Sequence, residues 1–423
     1  MTARTAYWPR RYTLIGLCFC ATFICYIDRV NISVAIIPMA QEFGWNTETQ
    51  GIVLSSFFIG YLITQIAGGR LADRYGGKVV LGAGVLLWSL FTILTPSAAY
   101  AGFAFLIVCR VAMGLGEAVT FPSVYSLVTR WIPDTERAKA IALNGSGIPL
   151  GTVFALLVTP IIVQEYGWEW AFYSFGLAGT VWYAVWWRRV SATPQEHPTI
   201  SQAERTLIRE NAPAHAAAAE KPPWKAFMKS GPVWAILVAH TCGNWSLYVL
   251  LAWLPTFVNQ GLGVDFAAIG IFSMMPHVAS FVFLNIAGNI ADRLLKRGMD
   301  VTRVRKTMQT IGFSGIAIAL LLVTEVESAW AAIAIMSAGN AVGAAGIGGS
   351  AINHMDIAPR HAGTLMGITN TAATVPGIVG VYVTGLILES TGSWALVFQT
   401  TAGVTIFGMV FYLIFASGEK QFD

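Results

Sequence analysis

Asp28 and Arg29 stand side by side inside a stretch, Tyr12 to Pro38, that is otherwise apolar for about 25 residues. A run of that length spans a bilayer, and an ionised side chain at membrane depth is costly enough to need a use. Arg29 keeps its charge under nearly all conditions, whereas a carboxyl such as Asp28 can exchange a proton. Adjacent residues on a helix project about 100° apart, so the two need not pair with each other. Two readings are open: an ion pair that locks the helix, or an anion-binding arginine beside a proton-titrating carboxylate. The second requires the rest of the chain to build a cavity around them.

Two more charges lie at membrane depth. Arg110 and Glu117 are seven residues apart in the fourth apolar stretch, on one helix face and about 10 Å apart along the axis. Glu117 is the second candidate for proton coupling, because burial and a nearby Arg29 act in opposite senses on its carboxyl. An anion occupying Arg29 would take away that counter-charge, which is the opposition a proton-coupled carrier uses. A permanent ion pair of Glu117 with Arg29 or Arg110 is the structural alternative. Arg110 reads either as a second cation for the substrate or as a helix-packing salt bridge.

The second half offers neutral polar residues and no acid in a helix core. Asn244, Trp245 and Tyr248 fall in the seventh stretch, His277 in the eighth and Asn340 in the tenth. Asn370, Thr371 and Thr374 fall in the eleventh, while Asn144 and Ser146 come from the fifth. Such groups read polyol hydroxyls, and Tyr61, Trp245 and Tyr248 could cover a sugar face. Each could equally be interhelical glue. Charge confined to the first and fourth stretches, with neutral donors elsewhere, suits an anion that carries hydroxyls. Six histidines include no His-x-x-x-His, and no Cys-x-x-Cys occurs, so neither a metal nor a cofactor is expected. His240 and His277 read as hydrogen-bonded helix residues.

The elements that must position these groups are membrane helices. The 423 residues are 55% hydrophobic and only 11% charged, against about 25% charged in a soluble domain. Twelve apolar stretches can be counted, at roughly 12–36, 50–71, 79–95, 101–125, 139–163, 169–188, 232–258, 267–291, 307–324, 328–352, 362–388 and 394–416. The alternating ten-residue segments of a membrane β-barrel are not found. Apart from Arg29 and Arg110, the 26 Lys and Arg fall in the termini and in every second loop. This bias sets both termini in the cytoplasm. The net charge of +4 is therefore a topology signal, and nucleic acid is not an expected partner. Acids mark the outer loops instead: Glu42, Glu48, Glu165, Asp265, Glu325 and Glu327. The five cysteines fall in helices and read as small buried hydrophobes. No cleavable signal peptide is expected, since the first stretch is too long and has no small-residue cleavage site.

An internal repeat organises the helices. Gly69-Arg70-Leu71-Ala72-Asp73-Arg74 recurs as Gly288-Asn289-Ile290-Ala291-Asp292-Arg293, an offset of 219 residues. Arg137 and Arg360, in the loops after the fourth and tenth stretches, echo each other, as do Gly167 to Ala171 and Gly392 to Ala395. The expected architecture is two pseudo-symmetric six-helix halves, 1–188 and 230–423, joined by a cytoplasmic loop at 189–229. Within that loop, Ile200 to Arg209 reads as an amphipathic helix at the membrane surface, part of a tether that lets the halves rock. The repeated turns, with Gly69, Asp73, Arg74, Asp292, Arg293, Arg137 and Arg360, read as a conformational latch or as plain interfacial anchors. They are no phosphate loop, for no Gly-Lys-Ser/Thr follows. The five glycines from Gly339 to Gly349 allow close contact or a bend, and Pro149, Pro160 and Pro376 interrupt helix ladders.

The chain resembles the major facilitator superfamily over essentially its whole length, with Gly69 to Lys78 matching that superfamily's cytoplasmic loop signature apart from Gly77, where Arg is preferred. Within it, the sequence looks like the anion:cation symporters. That group includes bacterial galactonate, glucarate and hexuronate carriers and the animal sialin, vesicular glutamate and organic-phosphate-type carriers. Asp28 to Ala35, Gly114 to Pro122 and Asn353 to Arg360 running into Gly367 to Thr371 carry the match. Asn244 to Tyr248 adds to it and points to the sialin branch. The resemblance implies that Arg29 holds the substrate carboxylate, that Glu117 couples protons, and that Asp28 is the extra aspartate of the bacterial sugar-acid symporters. Leu54 and Gly243 stand where vesicular glutamate carriers have a histidine and an arginine, which argues against glutamate.

The expectation is therefore an all-α, multi-pass protein of a bacterial inner membrane. It would take up a monocarboxylate with hydroxyls (an aldonate, hexuronate or sialic-acid-like acid) together with protons, by alternating access, and a monomer would suffice. Phosphate, a dicarboxylate, an aromatic acid or sodium coupling is the alternative. A non-transporting nutrient sensor would be expected to carry a signalling tail, and the termini here are short. A membrane enzyme would need a nucleophile, base and orienting group that the sequence does not supply.

Overall fold

The computed structural model describes residues 8–210 and 222–422, and every regular element among them is helical. In chain order these are α1 (Arg10–Phe43), α2 (Thr47–Tyr75), α3 (Gly77–Ala101), α4 (Phe103–Glu117), α5 (Thr120–Trp131), α6 (Asp134–Tyr166) and α7 (Trp168–Arg189). Two short helices follow, α8 (Gln202–Glu210) and α9 (Trp224–Lys229). Then come α10 (Gly231–Thr256), α11 (Ile269–Lys296), α12 (Val301–Leu322), α13 (Ala329–Gly343), α14 (Ser350–Ile357), α15 (Ala362–Ala372), α16 (Val375–Thr391) and α17 (Trp394–Phe415). Arg4 and residues 211–221 of the expected tether lie outside the described residues.

Among the described residues, ten helical segments are long and apolar enough to cross a membrane. The two parts of α2, Thr47–Gln65 and Ala67–Tyr75, bend by 52° and make an eleventh if counted as one span. The stretch expected at 169–188 forms α7, which has the length but not the apolarity. It carries Glu169, Arg188, Arg189 and five tryptophans, residues suited to an interface rather than to the hydrocarbon centre.

Three of the long segments are broken. The α4 helix stops at Glu117 and α5 starts at Thr120, because Pro122 has no N–H to return to the Ala118 carbonyl. Pro376 enters at the first turn of α16, beside the break that follows α15. The glycine run tightens α13 into a 3-10 turn, Ala344–Gly348, before α14. Pro149 and Pro160 do not act as expected: α6 continues through both. Pro122, which the sequence reading passed over, does what was expected of them.

By packing, the chain divides into one unit of Met1–Arg29, Ile59–Ala155 and Glu169–Ala219 and another of Val30–Phe58, Leu156–Trp168 and Glu220–Asp423. In the first, small residues let helices meet backbone to backbone. A Cβ on Gly84 would lie 2.7 Å from the Gly116 carbonyl oxygen, and one on Gly116 would lie 2.9 Å from that of Gly84, so α3 and α4 cross glycine on glycine. Gly60 of α2 abuts the Val111 carbonyl of α4 in the same way, and Gly147 of α6 abuts Phe19 of α1. These crossings draw α1, α2, α3 and α4 around one point.

The base of this unit is tied by charge. Glu204 of α8 accepts the backbone N–H groups of Arg10 (3.1 Å) and Arg11 (3.0 Å), the otherwise unsatisfied donors at the start of α1. The Arg11 guanidinium bridges Glu204 (3.2 Å) and Glu136 (2.8 Å). Glu204 and Ile208 are buried, so α8 turns its inner face to protein and not to a lipid surface.

In the second unit α10 packs on α16 and α17, and α12 on α13 and α17. Phe227, Ile236, Phe313, Leu365 and Tyr412 share one core. The start of α2 belongs here and is fastened to α16: the Tyr382 hydroxyl donates to Glu48 (3.0 Å), and Thr47 donates to Glu389 through its N–H and its hydroxyl (both 3.0 Å).

Candidate functional site

The crossing point of the first unit holds the charges. Arg29 of α1 donates from Nε (3.2 Å) and Nη2 (2.9 Å) to Oε2 of Glu117, the last residue of α4. Both side chains are buried. The guanidinium is flanked by the rings of Tyr26 and Tyr61, 4.7 and 4.9 Å from its central carbon to their centroids. Tyr61, expected to cover a sugar face, lies against the Arg29 guanidinium. Aromatic walls and a carboxylate hold the fork in one orientation, ready for a planar acceptor.

Asp28 does not pair with its neighbour. It turns to α3, where the Trp88 indole N–H donates to its Oδ2 at 3.1 Å. The expected divergence of about 100° thus places the two side chains in separate settings. Arg110 is also fully buried and donates from Nη1 to the Met113 sulfur (3.4 Å). It shares the electrostatic neighbourhood of Asp28 and Glu117.

The sequence reading missed two members of the cluster. Trp88 gave no signal beyond being a tryptophan in an apolar run. Cys25 was read as a small hydrophobe, yet its thiol donates to Glu117 Oε2 at 3.2 Å. Its position one helical turn before Arg29 was the available clue. Asn144 joins α6 to α1 by accepting at its Oδ1 from the Thr22 hydroxyl at 3.0 Å.

In the second unit, Asn244 donates to the Ala373 carbonyl at the α15–α16 break (2.9 Å). Trp245 lies flat on Gly380, where a Cβ would come within 3.0 Å of the indole. The Tyr248 ring sits 4.6 Å from that of Phe58. The Thr371 hydroxyl donates back to Gly367 (2.8 Å), while the Asn370 carboxamide, half-buried, makes no hydrogen bond among the described residues. His240 is hydrogen-bonded as expected; His277 is not, and makes no such bond among the described residues.

The repeated turns are not latched here. The side chains of Asp73, Asp292 and Arg293 are exposed and form no ion pair among the described residues, and Arg74 lies over the Tyr75 ring. Gly69 has open space around it. Arg137 closes the end of α5 instead, donating to the carbonyls of Thr129 (2.9 Å) and Ile132 (3.1 Å) and pairing with Asp134. Arg360 is exposed in the turn Pro359–His361. The ion pair that ties this region of the second unit joins Arg305 to Asp356 through two contacts, 2.6 and 3.1 Å, and the sequence reading gave it no role.

A family model described as the Major Facilitator Superfamily matches residues 18–381. The chain belongs to that superfamily. This facilitator is 43% identical to the chloroplastic Sodium-dependent phosphate transport protein 1 of Arabidopsis thaliana, over 98% of this chain and 81% of that one. It is 41% identical to the chloroplastic Ascorbate transporter of the same plant, over 98% and 76%. It is also 37% identical to human Sialin, over 97% and 90%. In fold it matches a bacterial homolog of the human lysosomal transporter Spinster, with a TM-score of 0.80 at 16% identity over 97% of each chain. This facilitator is thus a multi-pass membrane transporter and not an enzyme, and it is related to chloroplastic anion transporters and to sialin.

Proposed function

We propose that this facilitator takes up an organic monocarboxylate, a sugar acid of the aldonate, hexuronate or sialic-acid-like kind, in symport with protons. The observation that carries the reading is the Arg29 fork held on a single oxygen of buried Glu117. A substrate carboxylate can take that fork only when Glu117 releases it, and protonation of Glu117 is what removes its competing charge. The proton therefore loads first and the anion second. Afterwards Arg29 and the substrate balance each other, and the site carries less net charge through the membrane. Asp28, bonded to Trp88, supplies a second proton site. Two protons with one monoanion would move net charge, worth about 2.3 kcal/mol per 100 mV.

Tyr61, Asn144, Asn244, Trp245, Tyr248, Asn370 and Thr371 are the proposed contacts to substrate hydroxyls and ring faces. The proposed frame is twelve helices in two six-helix halves with both termini cytoplasmic, exposing the site to alternate sides. The Asp73 and Asp292 turns, with Gly69, Arg74, Arg293, Arg137 and Arg360, are the proposed conformational latch. The relative named as an Ascorbate transporter supports an anion that carries hydroxyls, and the likeness to Sialin agrees with the sequence reading. A bacterial cytoplasmic membrane is proposed on the strength of Asp28 alone.

A second reading, sodium-driven phosphate transport, is favoured by the relative of that name and by the buried second cation, Arg110. Uptake into proteoliposomes under imposed proton or sodium gradients separates the two. Galactonate, gluconate, glucuronate, sialic acid, ascorbate and phosphate are the substrates to compare. A sugar acid accumulated under a proton gradient, and lost with a protonophore, supports the first reading. Phosphate that follows sodium overturns it.

A further inference from the structure

Thr369 of α15 is the meeting point of two histidines from different helices. His354 of α14 places Nε2 2.8 Å from its Oγ1, and His240 of α10 places Nδ1 3.2 Å from the same atom. The two rings are nearly perpendicular, with centroids 6.4 Å apart. The other nitrogen of His354, Nδ1, faces the Ala351 carbonyl oxygen at 3.4 Å. The hydroxyl has one alternative acceptor, the Met366 carbonyl at 3.3 Å.

A carbonyl oxygen only accepts, so Nδ1 of His354 carries a proton when it bonds Ala351. Nε2 of the neutral ring then accepts from the Thr369 hydroxyl, whose oxygen is left to accept Nδ1–H of His240. The chain runs one way, from His240 through Thr369 to His354. A proton arriving at Nε2 of His240 can be passed along it. The Nδ1 proton moves to Thr369 Oγ1 as the hydroxyl proton moves to Nε2 of His354. His240 ends neutral, Thr369 keeps one proton, and both N–H groups of the His354 imidazolium face oxygen. Thr369 and His354 are buried whereas His240 is partly exposed, which makes His240 the entrance.

Other titratable groups on the packed elements are separately engaged or lie elsewhere. Arg305 of α12 is held by Asp356 and the Gly348 carbonyl, and the Tyr412 hydroxyl of α17 accepts from Asn353. His361 packs on Phe227. The remaining ones are Cys242 and Tyr248 on α10, Arg303 and Lys306 on α12, Arg360 in the turn before α15, His277, Asp292, Arg293 and Lys296 on α11, Lys225 and Lys229 on α9, and Tyr382 and Glu389 on α16. No ion pair reaches either ring among the described residues.

We propose that His240, Thr369 and His354 form a proton relay that gives the second unit a titrating site of its own, additional to Asp28 and Glu117. His240 stands nine residues into α10 and His354 three residues from the end of α14. Those are the ends where the basic loops gather, so the relay samples the cytoplasmic proton. Its part in transport rests on the proton-symport reading; its existence does not.

The test has two arms. Infrared difference spectra of purified protein with isotope-labelled histidine, recorded across pH 3 to 7, read ring protonation without transport. Substrate exchange in proteoliposomes at varied internal pH reads its effect on rate. Wild type and Thr369→Ser should show two histidine bands changing together and an exchange rate that varies at least threefold with internal pH. Thr369→Val should uncouple the bands, His354→Gln should remove one, and both should flatten the rate profile. An unchanged profile in His354→Gln, with Thr369→Val bands still moving together, overturns the relay. If wild type exchanges no anion at all, the symport reading falls and the spectra alone decide the relay.

Discussion

One oxygen of Glu117, Oε2, is shared by Nε and Nη2 of Arg29 and by the thiol of Cys25 at 3.2 Å, while Oε1 has no hydrogen-bond partner among the described residues. The guanidinium fork is therefore spent on a single acceptor atom. A free carboxylate offers two oxygens and matches the fork better.

Arg29→Lys keeps the charge and loses the fork. Uptake of the carboxylate substrate should fall at least tenfold, about 1.4 kcal/mol of affinity, measured as initial rate against substrate concentration. Unchanged uptake would remove Arg29 from the docking role.

Glu117→Gln resembles the protonated carboxyl and cannot cycle. Accumulation under a proton gradient should be lost, while exchange of labelled for unlabelled substrate, which needs no net proton movement, should persist. Normal accumulation in this variant would end the coupling role of Glu117.

Trp88→Phe removes the indole donor to Asp28 and leaves a buried oxygen without it. A loss of about 1–3 kcal/mol is expected, read as a lower melting temperature in detergent. In an Asp28→Asn background the same change should cost less, because the partner is already altered. Equal costs in both backgrounds would mean that the bond carries no stability.

Gly60→Val should destabilise the first unit by at least about 1–3 kcal/mol, because its Cβ would overlap the Val111 carbonyl that α2 packs against. Gly69→Ala, with nothing within 4 Å of the added carbon, is the matched control and should leave the melting temperature within a degree or so. Equal effects would mean that the α2–α4 approach is not tight.

His197 sits in the segment that leads to α8, with its ring edge on Trp131 and Nε2 near the Arg189 carbonyl. Burial pushes its pKa below the ordinary value of 6.5. The released segment then binds more protons than the docked one, so docking is full above that value and weakens as pH falls below it. The protection of residues 197–210, measured as hydrogen exchange corrected for the intrinsic pH dependence of the amides, should fall on acidification from pH 7 to 5, and His197→Gln should flatten the response. Wild-type protection that ignores pH would show that this ring does not gate docking.

Much of the site was legible because membrane burial makes charge conspicuous. Asp28, Arg29, Arg110 and Glu117 stand out in apolar runs, and cost alone marks them as placed for a purpose. Length and hydropathy likewise set the helix positions, each found within a few residues of its expected stretch. Partners of neutral type left no such mark. Cys25, Trp88 and Thr369 are ordinary helix residues in sequence, and only packing brings them to a carboxylate or a histidine.

What the sequence determined by itself is which groups lie at membrane depth and how far apart they stand along one helix, since 3.6 residues per turn and the apolar span settle both. The tertiary structure decided who pairs with whom. Asp28 and Arg29 are neighbours in the chain, yet one bonds Trp88 of α3 and the other Glu117 of α4. The crossings that set α2 and α3 against α4, and so place Trp88 and Glu117, depend on glycines 60, 84 and 116, whose missing side chains let those backbones close. Periodicity along one helix carries no information about which neighbour it meets, and contact between helices is where that information resides.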